Sequence, residues 1–172
     1  LEQTYAIELK NITKRFGKIV ANDGINLKVK RGEILSLLGE NGSGKTTLMN
    51  MISGIYFPDE GHILVDGKAV SIRSPKDSFD LGIGMIHQHF KLIDVMTAAE
   101  NIILGLKGNA VLDMKKVHKD IQELVDRYGF DLDPAQKVYT MSVSQKQTVE
   151  IVKMLYRGAN ILILDEPTAV LT

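Results

Sequence analysis

The residues with the most specific chemistry lie in a glycine-rich loop at residues 39–46, Gly-Glu-Asn-Gly-Ser-Gly-Lys-Thr. This phosphate loop fits the pattern G-x-x-x-x-G-K-[ST], in which backbone N–H groups surround a phosphate. Its glycines allow a close approach that a Cβ atom would obstruct. Lys45 carries a charge suited to the β- and γ-phosphates, and Thr46 supplies a hydroxyl for Mg²⁺. The loop predicts binding of a nucleoside triphosphate. The expected contacts are Gly39, Glu40, Asn41, Gly42, Ser43, Gly44, Lys45, Thr46 and Thr47.

A loop of this kind must be positioned by a strand before it and a helix after it. Residues 33–38, Glu-Ile-Leu-Ser-Leu-Leu, predict a buried strand that enters the loop, and residues 47–52 predict the helix that leaves it. Lys45 opens that helix, so the positive end of the helix dipole also faces the phosphates. The alternative is a glycine-rich turn that happens to precede a lysine, and the two flanking elements argue against it.

Two adjacent carboxylates, Asp165 and Glu166, follow the apolar stretch Ile-Leu-Ile-Leu at residues 161–164. Its continuous hydrophobicity predicts a fully buried core strand. This strand would deliver Asp165 at its carboxyl end, beside the Mg²⁺ held by Thr46. Glu166 could polarise an attacking water as a general base. The alternative is a strand that merely ends in solvated acids.

The composition narrows the classes of protein. With 172 residues, the chain can bury a core and is most simply one domain. Its 21 Lys and Arg balance 21 Asp and Glu, so the charge does not indicate a general nucleic-acid binder. The absence of cysteine excludes disulfides and thiolate metal sites. No apolar run approaches the roughly 18 residues that span a bilayer, so a membrane function would require another chain to span it.

The first part of the chain has the pattern of an antiparallel sheet. Apolar residues alternate with polar ones over residues 5–9 and again over 25–29. Asp66-Gly67 predicts the tight turn of a hairpin. Ser74, followed by proline, predicts a capped helix start, and residues 82–86 predict a short apolar strand.

The later part is mainly helical. A capping box at Thr97–Glu100 predicts a helix that continues through Leu106. A second helix has an apolar stripe and ends at Gly129, and a third is expected over about residues 144–157. The stripe of the second helix contains Val117, Ile121, Leu124, Val125 and Tyr128.

Together these elements predict an α/β fold in a single domain over residues 1–172. It has a P-loop nucleotide-binding core (about 1–89 and 158–172), an antiparallel β edge, and an inserted α-helical subdomain (about 90–157).

Three motifs, in this order, resemble the ATP-binding domain of an ABC transporter: the phosphate loop, Ser142-Val-Ser-Gln145, and Asp165-Glu-Pro-Thr168. The resemblance covers nearly the whole chain and implies that the bound nucleotide is ATP. It also implies that Gln88 is the family's Q-loop glutamine, and that Phe16 stacks on adenine, a role that suits a flat ring.

The resemblance also assigns the remaining roles. The expected catalytic residues are Glu166, Gln88 and Lys45, and the expected Mg²⁺ ligands are Thr46, Gln88 and Asp165. Ser142, Ser144 and Gln145 correspond to the helix-opening motif that contacts the γ-phosphate of ATP bound to the opposite subunit.

That helix-opening motif departs from the family's usual L-S-G-G-Q. Ser144 replaces the second glycine, so a side chain stands where backbone should approach phosphate. Thr148 stands where the family usually has arginine. The alternative role for Ser142 and Ser144 is plain helix capping, which their spacing to Gln145 and Gln147 would satisfy.

Residues 87–90, 96–102 and 164–172 resemble importers of simple sugars or nucleosides. This implies an ATP-hydrolysing importer subunit at the cytoplasmic face of the cell membrane. The implied partners are integral-membrane permease subunits, a second ATP-binding domain (as a homodimer or in tandem) and, indirectly, a solute-binding protein; nucleic acid is not expected. The apolar residues 90–96 are a candidate docking surface, with core packing as the alternative.

Two other functions stay open. A soluble ABC-type ATPase that acts on nucleic acid or ribosomes has the same motifs, and so has a module that binds ATP as a switch without turnover. The family also has a histidine after the Asp-Glu pair, whereas all four histidines here precede Asp165. We therefore expect an N-terminal fragment of a longer protein, which would hydrolyse ATP poorly by itself.

Overall fold

The computed structural model describes residues 5–87, 90–106 and 113–165. These residues form two compact units, one up to Gly84 and the other from Met85 onward. In the described part of the chain, each helix falls short of the length and apolar character needed to cross a membrane.

Unit 1 is built on a four-stranded antiparallel sheet, and two helices complete its described part. The elements are β1 (Tyr5–Phe16), β2 (Ile19–Lys30), α1 (Lys45–Ile52), β3 (Glu60–Val65), β4 (Lys68–Val70) and α2 (Pro75–Asp80). The strand order is β2-β1-β3-β4, so the long strand β1 lies between β2 and β3.

The predicted antiparallel edge is confirmed, and its local signals explain it. Asp66 (φ 50°) and Gly67 (φ 76°) both have positive φ, as a two-residue hairpin turn requires. Ser74 caps α2, and its hydroxyl accepts a hydrogen bond from the Asp77 N–H. Ile7 and Leu9 of β1 are buried, whereas Ile25, Leu27 and Val29 of β2 are half-buried and alternate with exposed polar residues.

The strand expected at residues 33–38 is not present in the structure. Residues 33–40 have no regular secondary structure, and the side chains of Ile34 and Leu38 are 96% and 93% exposed. Hydrogen bonds to a neighbouring strand define a strand, and the described residues place no strand beside this segment. The prediction of a buried strand is therefore wrong for this structure: the apolar composition is typical of a strand inside a sheet, but composition does not supply the neighbouring strand.

Unit 2 is mainly helical. Its hydrophobic core lies among its three α-helices, where Ile102, Ile121, Val149 and Val152 are fully buried. The elements are β5 (Ile83–Ile86), α3 (Ala98–Ile103), α4 (Met114–Tyr128), a short 3₁₀-helix (Val138–Thr140), α5 (Val143–Tyr156) and β6 (Ile161–Leu164). β5 and β6 pair in a two-stranded sheet.

Three predictions for unit 2 need correction. First, α3 ends at Ile103 rather than continuing through Leu106. Second, Tyr128 at the end of α4 is 50% exposed, because the last turn extends beyond the core that buries Val117, Ile121 and Val125. Third, β6 is not fully buried, since Leu162 is 36% exposed and only Ile163 is buried. Among the described strands, β6 pairs with β5 alone, which leaves one of its edges uncovered.

Candidate functional site

The phosphate loop leads into the first turn of α1. Gly44 is the N-cap residue, with φ 89°, and no side chain caps the helix. The first N–H groups of a helix have no partner within the helix. These donors therefore lie at the positive end of the α1 dipole, where an anion binds favourably. Thr46, in this first turn, is exposed, so its hydroxyl is accessible.

The Lys45 side chain folds back over its own loop. Its Nζ donates to the carbonyl oxygens of Gly39 (2.7 Å) and Glu40 (2.8 Å), and lies 3.4 Å from Ser43 Oγ. The loop is also closed by a hydrogen bond from the Ser43 N–H to the Glu40 carbonyl. The ammonium is thus held by neutral acceptors, which a phosphate oxygen can replace with a stronger, charge-assisted hydrogen bond.

The second strand braces the loop at Gly44. A Cβ atom at this position would lie 2.3 Å from the Ala21 carbonyl oxygen and 2.9 Å from Asn22 Nδ2. Asn22 Nδ2 also donates to the Gly44 carbonyl at 3.2 Å. Only glycine permits this close contact between β2 and the start of α1, which explains the glycine that the motif requires before its lysine.

Sequence reasoning missed Asn22. Its side chain is buried, and Oδ1 is one of two buried side-chain atoms of the described residues that lack a hydrogen-bond partner. A buried polar side chain needs a structural reason, which here is the hydrogen bond to the phosphate loop. The only signal in the sequence was an asparagine inside a strand, a position where this residue type is depleted.

Phe16 lies at the end of β1, in the same unit as the phosphate loop, and is 42% exposed. Its ring packs edge-on against Tyr56, with ring centroids 5.2 Å apart. Lys14 Nζ lies 5.5 Å from the ring centroid. The exposure suits a ring that stacks on a base, and the stacking on adenine stays a prediction.

Of the two adjacent carboxylates, Asp165 lies within the described residues and Glu166 lies outside them. Asp165 follows β6, is half-buried, and donates its N–H to the Ile86 carbonyl at 3.1 Å. This places Asp165 at the end of the strand, as predicted. Glu166 and Gln88 lie outside the described residues, so their assigned roles stay predictions.

The helix-opening motif forms a capping box. The Ser142 hydroxyl accepts from the Gln145 N–H at 3.2 Å, and Gln145 Oε1 accepts from the Ser142 N–H at 3.1 Å. The helix-capping alternative is therefore realised at Ser142. Ser144 is exposed, and its carbonyl accepts from the Thr148 hydroxyl at 3.1 Å. A hydroxyl that accepts a hydrogen bond still has a proton to donate, so capping leaves Ser142 able to donate to a phosphate.

A family model described as "ABC transporter" matches residues 22–169. The chain is 55% identical over 170 residues to a guanosine import ATP-binding protein, NupO, of Bacillus subtilis. It is also 55% identical over 168 residues to a nucleoside import ATP-binding protein, NupA, of Lactococcus lactis. These matches cover 98% and 96% of this chain and 33% of each relative. The chain thus spans about a third of the length of these curated relatives.

A solved structure of an ABC transporter component has a similar fold. The structure of cbiO1 from Clostridium perfringens, described as part of the ABC transporter complex cbiONQ, aligns with a TM-score of 0.81 at 30% sequence identity. The alignment covers 98% of this chain and 68% of cbiO1. The family match spans the braced phosphate loop, the capped start of α5 and Asp165, and the chain belongs to the ABC transporter family.

Proposed function

We propose that this chain is the ATP-binding part of an importer subunit that hydrolyses ATP. One observation carries the proposal: the uncapped start of α1, braced by β2 at Gly44, holds Lys45 within a phosphate loop. Such a helix start binds the phosphates of a nucleotide, and the ammonium of Lys45 would neutralise part of their charge.

The other roles follow from the family. Thr46, Asp165 and Gln88 would hold Mg²⁺, and the exposed hydroxyl of Thr46 at the first turn of α1 fits that role. Mg²⁺, when bound, neutralises charge on the β- and γ-phosphates. Glu166 would accept a proton from the attacking water. Ser142, Ser144 and Gln145 would contact the ATP bound to a second ATP-binding domain.

The transported solute is proposed to be a nucleoside. The two relatives at 55% identity are both named for nucleoside import, one of them for guanosine. A simple sugar is the alternative. The partners would be integral-membrane permease subunits, with a solute-binding protein acting indirectly, and the subunit would lie at the cytoplasmic face of the membrane.

The permease-facing surface is proposed to lie on the candidate docking surface at residues 90–96, in its 91–96 segment. Val95 is 72% exposed and Ile93 is 39% exposed, so this segment presents apolar side chains to solvent. Leu92 packs against the hydrophobic core of unit 2. The segment would therefore serve both of the roles considered for it, since Leu92 anchors it while Ile93 and Val95 are exposed to a partner.

The test is a pull-down of the complete protein from detergent-solubilised membranes, followed by an ATPase assay. If the chain is part of an importer subunit, a polytopic permease should copurify with the protein. The protein should also hydrolyse ATP, and Lys45→Ala should abolish that activity. Lys68→Ala on β4 is the matched control, because it removes an exposed ammonium outside the phosphate loop. Recovery in the soluble fraction with nucleic acid or ribosomes would instead support a non-transport ATPase. A permease without ATP turnover would support an ATP-binding switch.

A further inference from the structure

The 91–96 segment has no helix or strand, yet buried polar side chains hold its backbone. Asn101 is fully buried in α3; its Oδ1 accepts from the Ile93 N–H at 2.7 Å and its Nδ2 donates to the Ile93 carbonyl at 3.0 Å. Glu150 of α5 is 7% exposed, and its Oε1 accepts from the Lys91 N–H at 3.0 Å. Since an irregular loop needs partners for its backbone groups, these two side chains hold its first half, while the N–H groups of Tyr139 and Val138 bind the carbonyls of Asp94 and Met96 in its second half.

Helix α5 holds the same segment at a second point. Lys146 Nζ lies 3.0 Å from Asp94 Oδ1, and Lys146 is one helical turn before Glu150. Residues spaced by four lie on one face of a helix, so both side chains reach the segment from the same side of α5. The Ser142 N-cap lies one further turn away on that face, about 12 Å along the axis from Glu150.

The burial of the Glu150 carboxylate is costly unless it is compensated. The N–H of Lys91 supplies a hydrogen bond, and the positive charges of Lys153 and Arg157 interact favourably with Glu150. Both cations are half-buried, and this burial lowers the pKa of each. A buried, hydrogen-bonded carboxylate holds its acceptor position more rigidly than an exposed one does.

We infer that Glu150, assisted by Lys146, is a positioning residue that fixes the 91–96 segment to α5. Any displacement of the α5 start on contact with ATP then carries the outward-facing Ile93 and Val95 with it. This inference rests on the proposed function, in which the α5 start faces nucleotide and the segment faces a permease. The link passes through α5 itself and is separate from the role assigned to Gln88.

The test compares the ATPase activity of the complete subunit alone with that of the subunit bound to its copurified permease. Glu150→Met removes the acceptor at similar volume, and Glu150→Gln retains an Oε1 acceptor. Glu123→Met on α4 is the matched control, because its carboxylate is exposed and pairs only with Lys119 of the same helix among the described residues. For Glu150→Met we expect stimulation by the permease to fall about fivefold to tenfold. The KM for ATP and the permease-free rate should stay within about twofold. Glu150→Gln and Glu123→Met should keep normal stimulation.

Equal stimulation of Glu150→Met and the unaltered protein would overturn the inference, as would an equal loss of rate with and without the permease. A charge swap provides a second test that does not disturb the core. Asp94→Lys and Lys146→Asp should each weaken stimulation of the ATPase by the permease, and the double variant should restore it. Normal stimulation in both single variants would also overturn the inference. If the unaltered subunit is not stimulated by any membrane partner, the proposed function fails and this inference fails with it.

Discussion

The substitution Gly44→Ala tests the contact between β2 and the phosphate loop. An alanine at φ 89° takes up a left-handed conformation, at a cost of about 1–2 kcal/mol. Its Cβ would also lie 2.3 Å from the Ala21 carbonyl oxygen, well short of the 3.4 Å at which ordinary contacts begin. That oxygen belongs to the backbone of a paired strand and cannot rotate away, so overpacking adds about 1–3 kcal/mol.

The matched control is Gly42→Ala. Gly42 has φ 82°, nearly the same backbone conformation, but a Cβ there would have no atom within 4 Å. The control therefore keeps the strain of positive φ and omits the steric overlap. The difference between the two variants isolates the contact with β2 at about 1–3 kcal/mol, which corresponds to about 5–150-fold in an equilibrium constant.

Native-state hydrogen exchange of the α1 amides measures this difference locally, so separate unfolding of the two units does not affect it. We expect the α1 amides to exchange about 5–150-fold faster in Gly44→Ala than in Gly42→Ala. Equal exchange in the two variants would show that the loop moves away from β2 at no cost, and would refute the bracing argument.

Four further predictions concern caps and the reacting groups. Thr97→Ala removes the hydroxyl that accepts from the Glu100 N–H, so it should destabilise unit 2 by about 1 kcal/mol in urea unfolding; no loss would contradict the capping role. The hydrogen bond from the Thr97 N–H lowers the pKa of Glu100, so its contribution to stability is present above the unfolded-state pKa and is lost as the pH falls through the folded-state pKa. In Glu100→Gln the free energy of unfolding should therefore fall less steeply as the pH is lowered. Urea titrations at a series of pH values measure this, and an unchanged slope at acidic pH would contradict it. Glu166→Gln should abolish hydrolysis and leave ATP binding intact in the complete protein, whereas lost binding would indicate a structural role. Ser144→Gly should raise ATPase turnover in a complete dimer if the serine side chain crowds the phosphate, and equal or lower turnover would refute that idea.

Structural features that depend on a few neighbouring residues were predictable from the sequence. The capping box at Thr97–Glu100 and the turn at Asp66-Gly67 each depend on residues that are adjacent or one helical turn apart. The start of α5 was predicted to within one residue, because Ser142 and Gln145 determine it locally. For the same reason the phosphate loop was identified from eight consecutive residues.

Features that need a distant partner were not predictable in the same way. The hydrogen bond between Asn22 and the phosphate loop joins residues 22 apart, and a single strand pattern does not say what its buried asparagine contacts. Residues 33–38 have the composition of a buried strand, but burial requires a neighbouring strand that composition does not provide. The same limit applies to Glu150, whose carboxylate contacts a backbone group 59 residues away.

The geometry of the phosphate loop depends more on β2 than on the segment that enters it. Lys45 is held by carbonyls of its own loop, and Gly44 is held by Ala21 and Asn22. Ile34 and Leu38 of the entering segment are almost fully exposed, yet the helix start after the loop is well formed. Because the donors for phosphate come from the loop and α1, their arrangement does not require residues 33–38 to pair with another strand. The arrangement of the phosphate loop is therefore separable from completion of a sheet around residues 33–38, and we expect phosphate binding to depend on the β2 contact at Gly44.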